Sequence, residues 1–132
     1  EPNLSFIKDK YPLYDFRESD FTKPPPESFD LVICSDVIEH LLEPDDLLDF
    51  INQIDFKHLV LSTPERGVIQ DLQRSFGWDV KTNGPPHNVM HIREWSFLEL
   101  KEYLSEWFEI ESQFMTPKQV ECQVVIAAPK RP

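Results

Sequence analysis

An α/β layered sheet that ends in an antiparallel hairpin is the fold class the sequence predicts, and three observations predict it. Two short apolar runs, FDLVIC at 29–34 and HLVLS at 58–62, flank a segment of helical period, which is the pattern of a strand–helix–strand unit with a right-handed crossover. Near the C-terminus two more apolar runs are separated only by MTPKQV, a connection short enough for a hairpin. With 40% hydrophobic and 12% aromatic residues, 132 residues suffice for one buried core and not for two, so 1–132 reads as a single domain.

Taken in order, Leu4, Phe6 and Ile7 among polar neighbours suit a short helix over 2–10, ended by Pro12. LYDFRES (13–19) alternates well enough for a strand, and TKPPPE (22–27) is a loop. The uninterrupted Leu31-Val32-Ile33 run predicts an interior strand covered on both faces, as in parallel sheets. Pro44 followed by Asp45 and Asp46 marks a helix start, because proline tolerates the first turn and carboxylates oppose the positive end of the dipole. Leu47, Phe50, Ile51 and Ile54 continue that helix at helical spacing, and 58–62 returns as a strand ending at Thr63-Pro64. A helix is predicted near 68–74 and a turn at Asn83-Gly84-Pro85-Pro86. Ser96 with Glu99 forms a capping box, and Trp95 with Leu100 the matching hydrophobic staple, so a helix runs from Phe97 to about Ser105. Strands over 107–114 and 121–128 complete the chain.

Thirteen Lys and Arg against 24 Asp and Glu give a formal charge of −11, a field that repels polyphosphates and disfavours nucleic acid as a partner. Cys34 and Cys122 each sit in an apolar run and read as small buried hydrophobes, so a reducing compartment, the cytoplasm, is the expected location. No run approaches the roughly 18 apolar residues that span a bilayer, and no membrane partner is expected.

In open α/β sheets, ligands sit beyond the carboxyl ends of the strands. That rule selects Ser19-Asp20-Phe21, the stretch Ser35 to His40, and Ser62 to Arg66. Within the second, FDLVICSDVIEHLLEP resembles the fourth-strand motif of class I S-adenosylmethionine-dependent methyltransferases, where a strand ends in an acidic residue and enters a Val-Ile-Glu-His-Leu turn. RESDF (17–21) resembles the third-strand end of that family, HLVLSTPER its fifth strand, and the terminal hairpin its sixth and seventh. The fold so implied is a Rossmann-like methyltransferase sheet, mostly parallel, with a C-terminal antiparallel hairpin. Its N-terminal strands are missing: the family's Gly-rich loop does not occur in the chain, and upstream residues are expected outside this sequence.

The resemblance implies S-adenosyl-L-methionine as cofactor. It places Asp20 on the adenine amino group, Phe21 on the adenine ring, and Ser35 with Asp36 near the methionine end. The residues themselves leave plainer roles open, with Asp20 capping a turn, Phe21 in the core and His40 bonding the loop before Pro44. Methyl transfer from a sulfonium asks for proximity, orientation and a base where the acceptor loses a proton, and the candidate bases are His40, His91 and Asp36. The loop from Gly84 to Trp95 packs two His, an Arg and a Glu ahead of a helix start, and His87, His91 and Arg93 are read as substrate-facing. Asp36, Glu39, His40 and His91 also resemble the ligand group of metal-dependent small-RNA 2′-O-methyltransferases, with Asp where that family has Glu at the first position and with an incomplete motif. No metal is assigned. The expected activity is methyl transfer to a small-molecule or sugar-like acceptor. A catalytically silent interaction module is the rival, separated from it by cofactor binding.

Overall fold

The computed structural model describes residues 2–118 and 121–130. Helix α1 (Pro2–Lys10) precedes strand β1 (Ser28–Ser35), a 3-10 turn at Ile38–His40, and α2 (Pro44–Asn52). Strand β2 (Asp55–Pro64), α3 (Arg66–Ser75), α4 (Phe97–Trp107), β3 (Phe108–Met115) and β4 (Cys122–Pro129) follow. The sheet order is β1-β2-β4-β3. β1 runs parallel to β2, with Ser35 opposite Ser62, while β4 is antiparallel to both β2 and β3. The strand–helix–strand unit and the closing hairpin are therefore both present, in a mixed sheet. Residues 119 and 120, in the hairpin connection, lie outside the described residues.

One face of the sheet carries the core. Leu59, Leu61, Val125, Ala127 and Phe108 meet Leu47, Leu48 and Ile51 of α2 and Leu100 and Leu104 of α4 in a single buried cluster. The capping box forms as its residues require: Glu99 N donates to Ser96 Oγ (3.3 Å) and Ser96 N to Glu99 Oε2 (2.8 Å). Trp95 and Leu100 are both fully buried in the same cluster.

Two expectations are corrected. The segment LYDFRES forms no strand, since residues 11–27 contain none. Its ladder groups have no neighbouring strand, and Arg17 instead folds the segment on itself, donating to Asp15 (2.8 Å) and to Glu27 (2.8 Å). The run Leu31-Val32-Ile33 is not covered on both faces and β1 is not interior. Val32 packs on the core, but Leu31 is 48% and Ile33 67% exposed, and β1 is an edge of the four-stranded sheet. Alternate strand residues point to opposite faces, and α2 and α4 cover only one of them.

Helix α3 shows how a local signal places a distant side chain. Glu65 caps its start by accepting from Val68 N (2.7 Å). Its end is a Schellman turn, in which Gly77, at φ 81°, donates to Arg74 O (2.9 Å) and Trp78 N to Gln73 O (3.3 Å). The reversal at Gly77 brings Trp78 back onto His87, ring centroids 4.6 Å apart and 27° from parallel.

Candidate active site

The carboxyl ends of β1 and β2 are joined directly. Ser35 Oγ and Ser62 Oγ are 2.8 Å apart, and Asp36 N donates to Ser62 O (2.9 Å). Beyond them the 3-10 turn swings Glu39 inward, where it is 1% exposed, and leaves His40 at the surface. Thr63, the residue after the HLVLS run, donates its hydroxyl to Glu39 Oε2 (3.0 Å). The loop from Gly84 to Trp95 then closes over the turn, with Ile92 N and Arg93 N both donating to Glu39 O (2.7 and 3.3 Å).

These contacts bring two predicted histidines together. The rings of His40 and His91 lie edge to face at 4.9 Å. His40 Nδ1 bonds Met90 O (2.8 Å), and since a carbonyl only accepts, Nδ1 is the donor, which in the neutral ring leaves the lone pair on Nε2. His40 thus binds the 84–95 loop and not the loop before Pro44. His91 Nδ1 donates to Glu94 Oε1 (2.7 Å), a pair almost wholly buried. Asn88 Oδ1 accepts from Met90 N (3.0 Å), which turns its Nδ2 toward His91 Nε2 (3.1 Å). Glu39, His40 and His91 each offer a ligand atom within 4.8 Å of the others, a group that Asp36 does not join.

Asp36 lies elsewhere on the same strand end, accepting from Ser35 Oγ (3.2 Å) with Cys122 Sγ at 4.0 Å. Ser19 Oγ accepts from Phe21 N (3.1 Å), and Asp20 Oδ1 accepts from Thr22 N (3.1 Å) and Thr22 Oγ1 (2.6 Å). The Thr22 hydroxyl holds the Asp20 carboxyl below its ordinary range. Phe21 packs on Phe50 of α2, centroids 5.5 Å apart. Phe21 (φ 64°) and Asp36 (φ 52°) are also the two residues other than glycine with positive φ among the described residues. A bulky residue there is strained, and such strain concentrates at ligand sites.

His87 is not in the histidine pair. It stacks on Trp78 in an adjoining recess that Asn88 also lines. Arg93 lies over the Trp95 ring (5.3 Å) and lines a separate cavity of about 210 Å³ with Arg66 and Glu94. Sequence reasoning selected the stretches that hold Thr63, Asn88 and Glu94 but gave none of the three a role. Glu94, three residues after His91 in the same polar loop, was the one with a local signal.

Burial pushes the Cys34 and Cys122 thiols up to about 11, with Glu39 and Asp36 adding to the effect at Cys34 and Asp36 at Cys122. Neither is a nucleophile at neutral pH. No helix among the described residues is long and apolar enough to cross a membrane.

The methyltransferase-domain family matches residues 2–54, and no curated protein matches. Solved structures similar to the chain include the PH0226 protein from Pyrococcus horikoshii OT3 (TM-score 0.70, 14% identity, over 98% of this chain and 68% of that one). A SAM-dependent methyltransferase from Aquifex aeolicus is similar as well (TM-score 0.66, 14% identity, over 98% and 65%). So is the small RNA methyltransferase HEN1 (TM-score 0.57, 22% identity, over 78% and 14%). The chain spans 68%, 65% and 14% of these three chains. In fold, the chain is similar to part of a Rossmann-like methyltransferase domain, with a mixed sheet.

Proposed function

We propose that this chain belongs to an enzyme that transfers a methyl group from S-adenosylmethionine to a hydroxyl of a small-molecule or sugar-like acceptor. Residues of the 11–27 segment and of the β1 end fit the cofactor. Asp20, Ser35 and Asp36 are exposed, and both Phe21 and Asp36 have positive φ. When bound, the cofactor supplies an electrophilic sulfonium methyl.

The observation that carries the reading is the state of His40. With its Nδ1 proton spent on Met90 O, its Nε2 lone pair stands 3.8 Å from the buried Glu39 carboxylate. A proton taken from an acceptor hydroxyl is received at Nε2, and the Glu39 charge stabilises the imidazolium that results. His91 is less suited to that task because Asn88 already occupies its Nε2. Its part is to buttress His40, edge to face, while Glu94 fixes its tautomer. His87 faces the acceptor from the same loop, while Arg93 lines the separate cavity beside Arg66.

Calorimetric titration of the intact protein with S-adenosylhomocysteine tests the reading. Binding is expected in the micromolar range, and its absence leaves the interaction module as the better account. Asp20→Ala is expected to raise the cofactor KM about tenfold with kcat kept, whereas His40→Ala lowers kcat by roughly 10²–10⁴ with the cofactor KM kept.

A second reading is favoured by one observation. Both His40 and His91 bind an acceptor through Nδ1, the support that metal-ligating histidines have, and their ligand atoms converge with that of Glu39. Glu39, His40 and His91 would hold a divalent cation there, and the cation would supply Lewis-acid polarisation of the acceptor hydroxyl. Dialysis against EDTA separates the two: activity lost and restored by Mn²⁺ or Mg²⁺ supports the cation, and unchanged activity supports His40 as a free base.

A further inference from the structure

A recess of about 410 Å³ opens between the end of α3 and the 84–95 loop, lined by Ile69, Gln73, Trp78, His87, Asn88 and Val89. Three features of it are unexplained by folding. Trp78 is 46% exposed although it is the largest apolar side chain available, and it stands there because the Gly77 turn and the His87 stack hold it. Gln73 is only 6% exposed, yet its Oε1 has no hydrogen-bond partner among the described residues. Finally, Asn88 is shared, lining the recess on one side and donating to His91 Nε2 on the other, so the recess is continuous with the histidine pair.

We propose that this recess seats an uncharged sugar ring of the methyl acceptor, its C–H face on Trp78 and His87 and a hydroxyl on Gln73. The proposal rests on the methyl-transfer reading above and names the substrate class and its subsite. The chemistry of the lining argues for a sugar. No Lys, Arg, Asp or Glu lines the recess, so it is built for a neutral group. The Gln73 amide suits a hydroxyl, and aromatic faces match the apolar faces of a pyranose. A ring held there sits one side chain, Asn88, from His91 and places a neighbouring hydroxyl toward His40. An RNA strand is disfavoured because a chain of net charge −11 repels phosphodiesters.

Saturation-transfer NMR on the intact protein loaded with S-adenosylhomocysteine tests this, with methyl hexopyranosides and methyl 6-deoxyhexopyranosides as probes and uridine and cytidine as planar comparisons. The expected result is transfer to the ring protons of at least one glycoside. The signal should fall about fivefold or more in Trp78→Ala and Gln73→Ala and persist in Trp78→Phe, with S-adenosylhomocysteine affinity kept within about twofold in all three. Transfer to no glycoside, transfer to the nucleosides instead, or a glycoside signal indifferent to Trp78→Ala overturns the proposal. If S-adenosylhomocysteine itself does not bind, the methyl-transfer reading fails, and the glycoside measurement on the unloaded protein still decides the recess.

Discussion

Glu39 is the residue on which the site turns, because a carboxylate at 1% exposure must be surrounded by groups that tolerate it. One oxygen accepts from Thr63, and the other faces the histidines. Glu39→Gln keeps the volume and the Thr63 bond but removes the charge. It is expected to retain the fold by circular dichroism while lowering kcat by about tenfold or more, because the imidazolium at His40 loses its counter-charge. The thiols give a second measurement. With pKa values near 11 against an ordinary 9.0, native Cys34 and Cys122 expose about a hundredfold less thiolate at pH 8. Alkylation by iodoacetamide should be slower by about that factor than in the urea-unfolded chain. At this scale the sequence was partly legible. His40 and His91 could be selected because a Glu-His turn at a strand end and a polar loop are local patterns. The Gln73, Trp78 and Thr63 roles were not legible, since each depends on a partner that only the tertiary fold brings near.

Among the elements, those with their own punctuation were the readable ones. Pro44 with Asp45 and Asp46 opens α2, and Ser96 with Glu99 opens α4, both where local chemistry demands. Replacing Ser96 by Ala removes one half of the capping box and is expected to cost about 1 kcal/mol in urea denaturation. Gly77→Ala isolates a different cause. Nothing lies within 4 Å of the added methyl, so the cost is that of the left-handed backbone alone, about 1–2 kcal/mol, with Gly77→Asn costing less. The LYDFRES segment shows the opposite case. Its alternation satisfies the pattern for a strand, but a strand also needs a neighbour's backbone, which no local pattern reports, and Arg17 ties the segment to Asp15 and Glu27 instead.

For the whole molecule, the sheet is dressed on one face and ends in two edge strands, β1 and β3. Leu31 and Ile33 project from β1, an edge strand, and together they make an apolar strip with unpaired backbone groups beside it. Produced by itself, the 132-residue chain is expected to self-associate through this strip, and Leu31→Lys with Ile33→Lys should shift its sedimentation toward the monomer. The fold class was legible because strand, helix and strand follow one another at short range. The state of β1 was not, because a run of three apolar residues reports what the strand is suited to face and not what this chain supplies. Glu65 has a further consequence at this scale. It accepts from Val68 N where the chain departs from β2 and from Phe97 N where it returns, while Arg66 N meets Trp95 O. Residues 66–96 are thus a detour whose two gateposts are one side chain, and ordering such a segment costs little more when it lengthens. Exchange is confined to the part of the detour before His91, because Ile92 and Arg93 are moored to Glu39 O and Trp95 is anchored in the core.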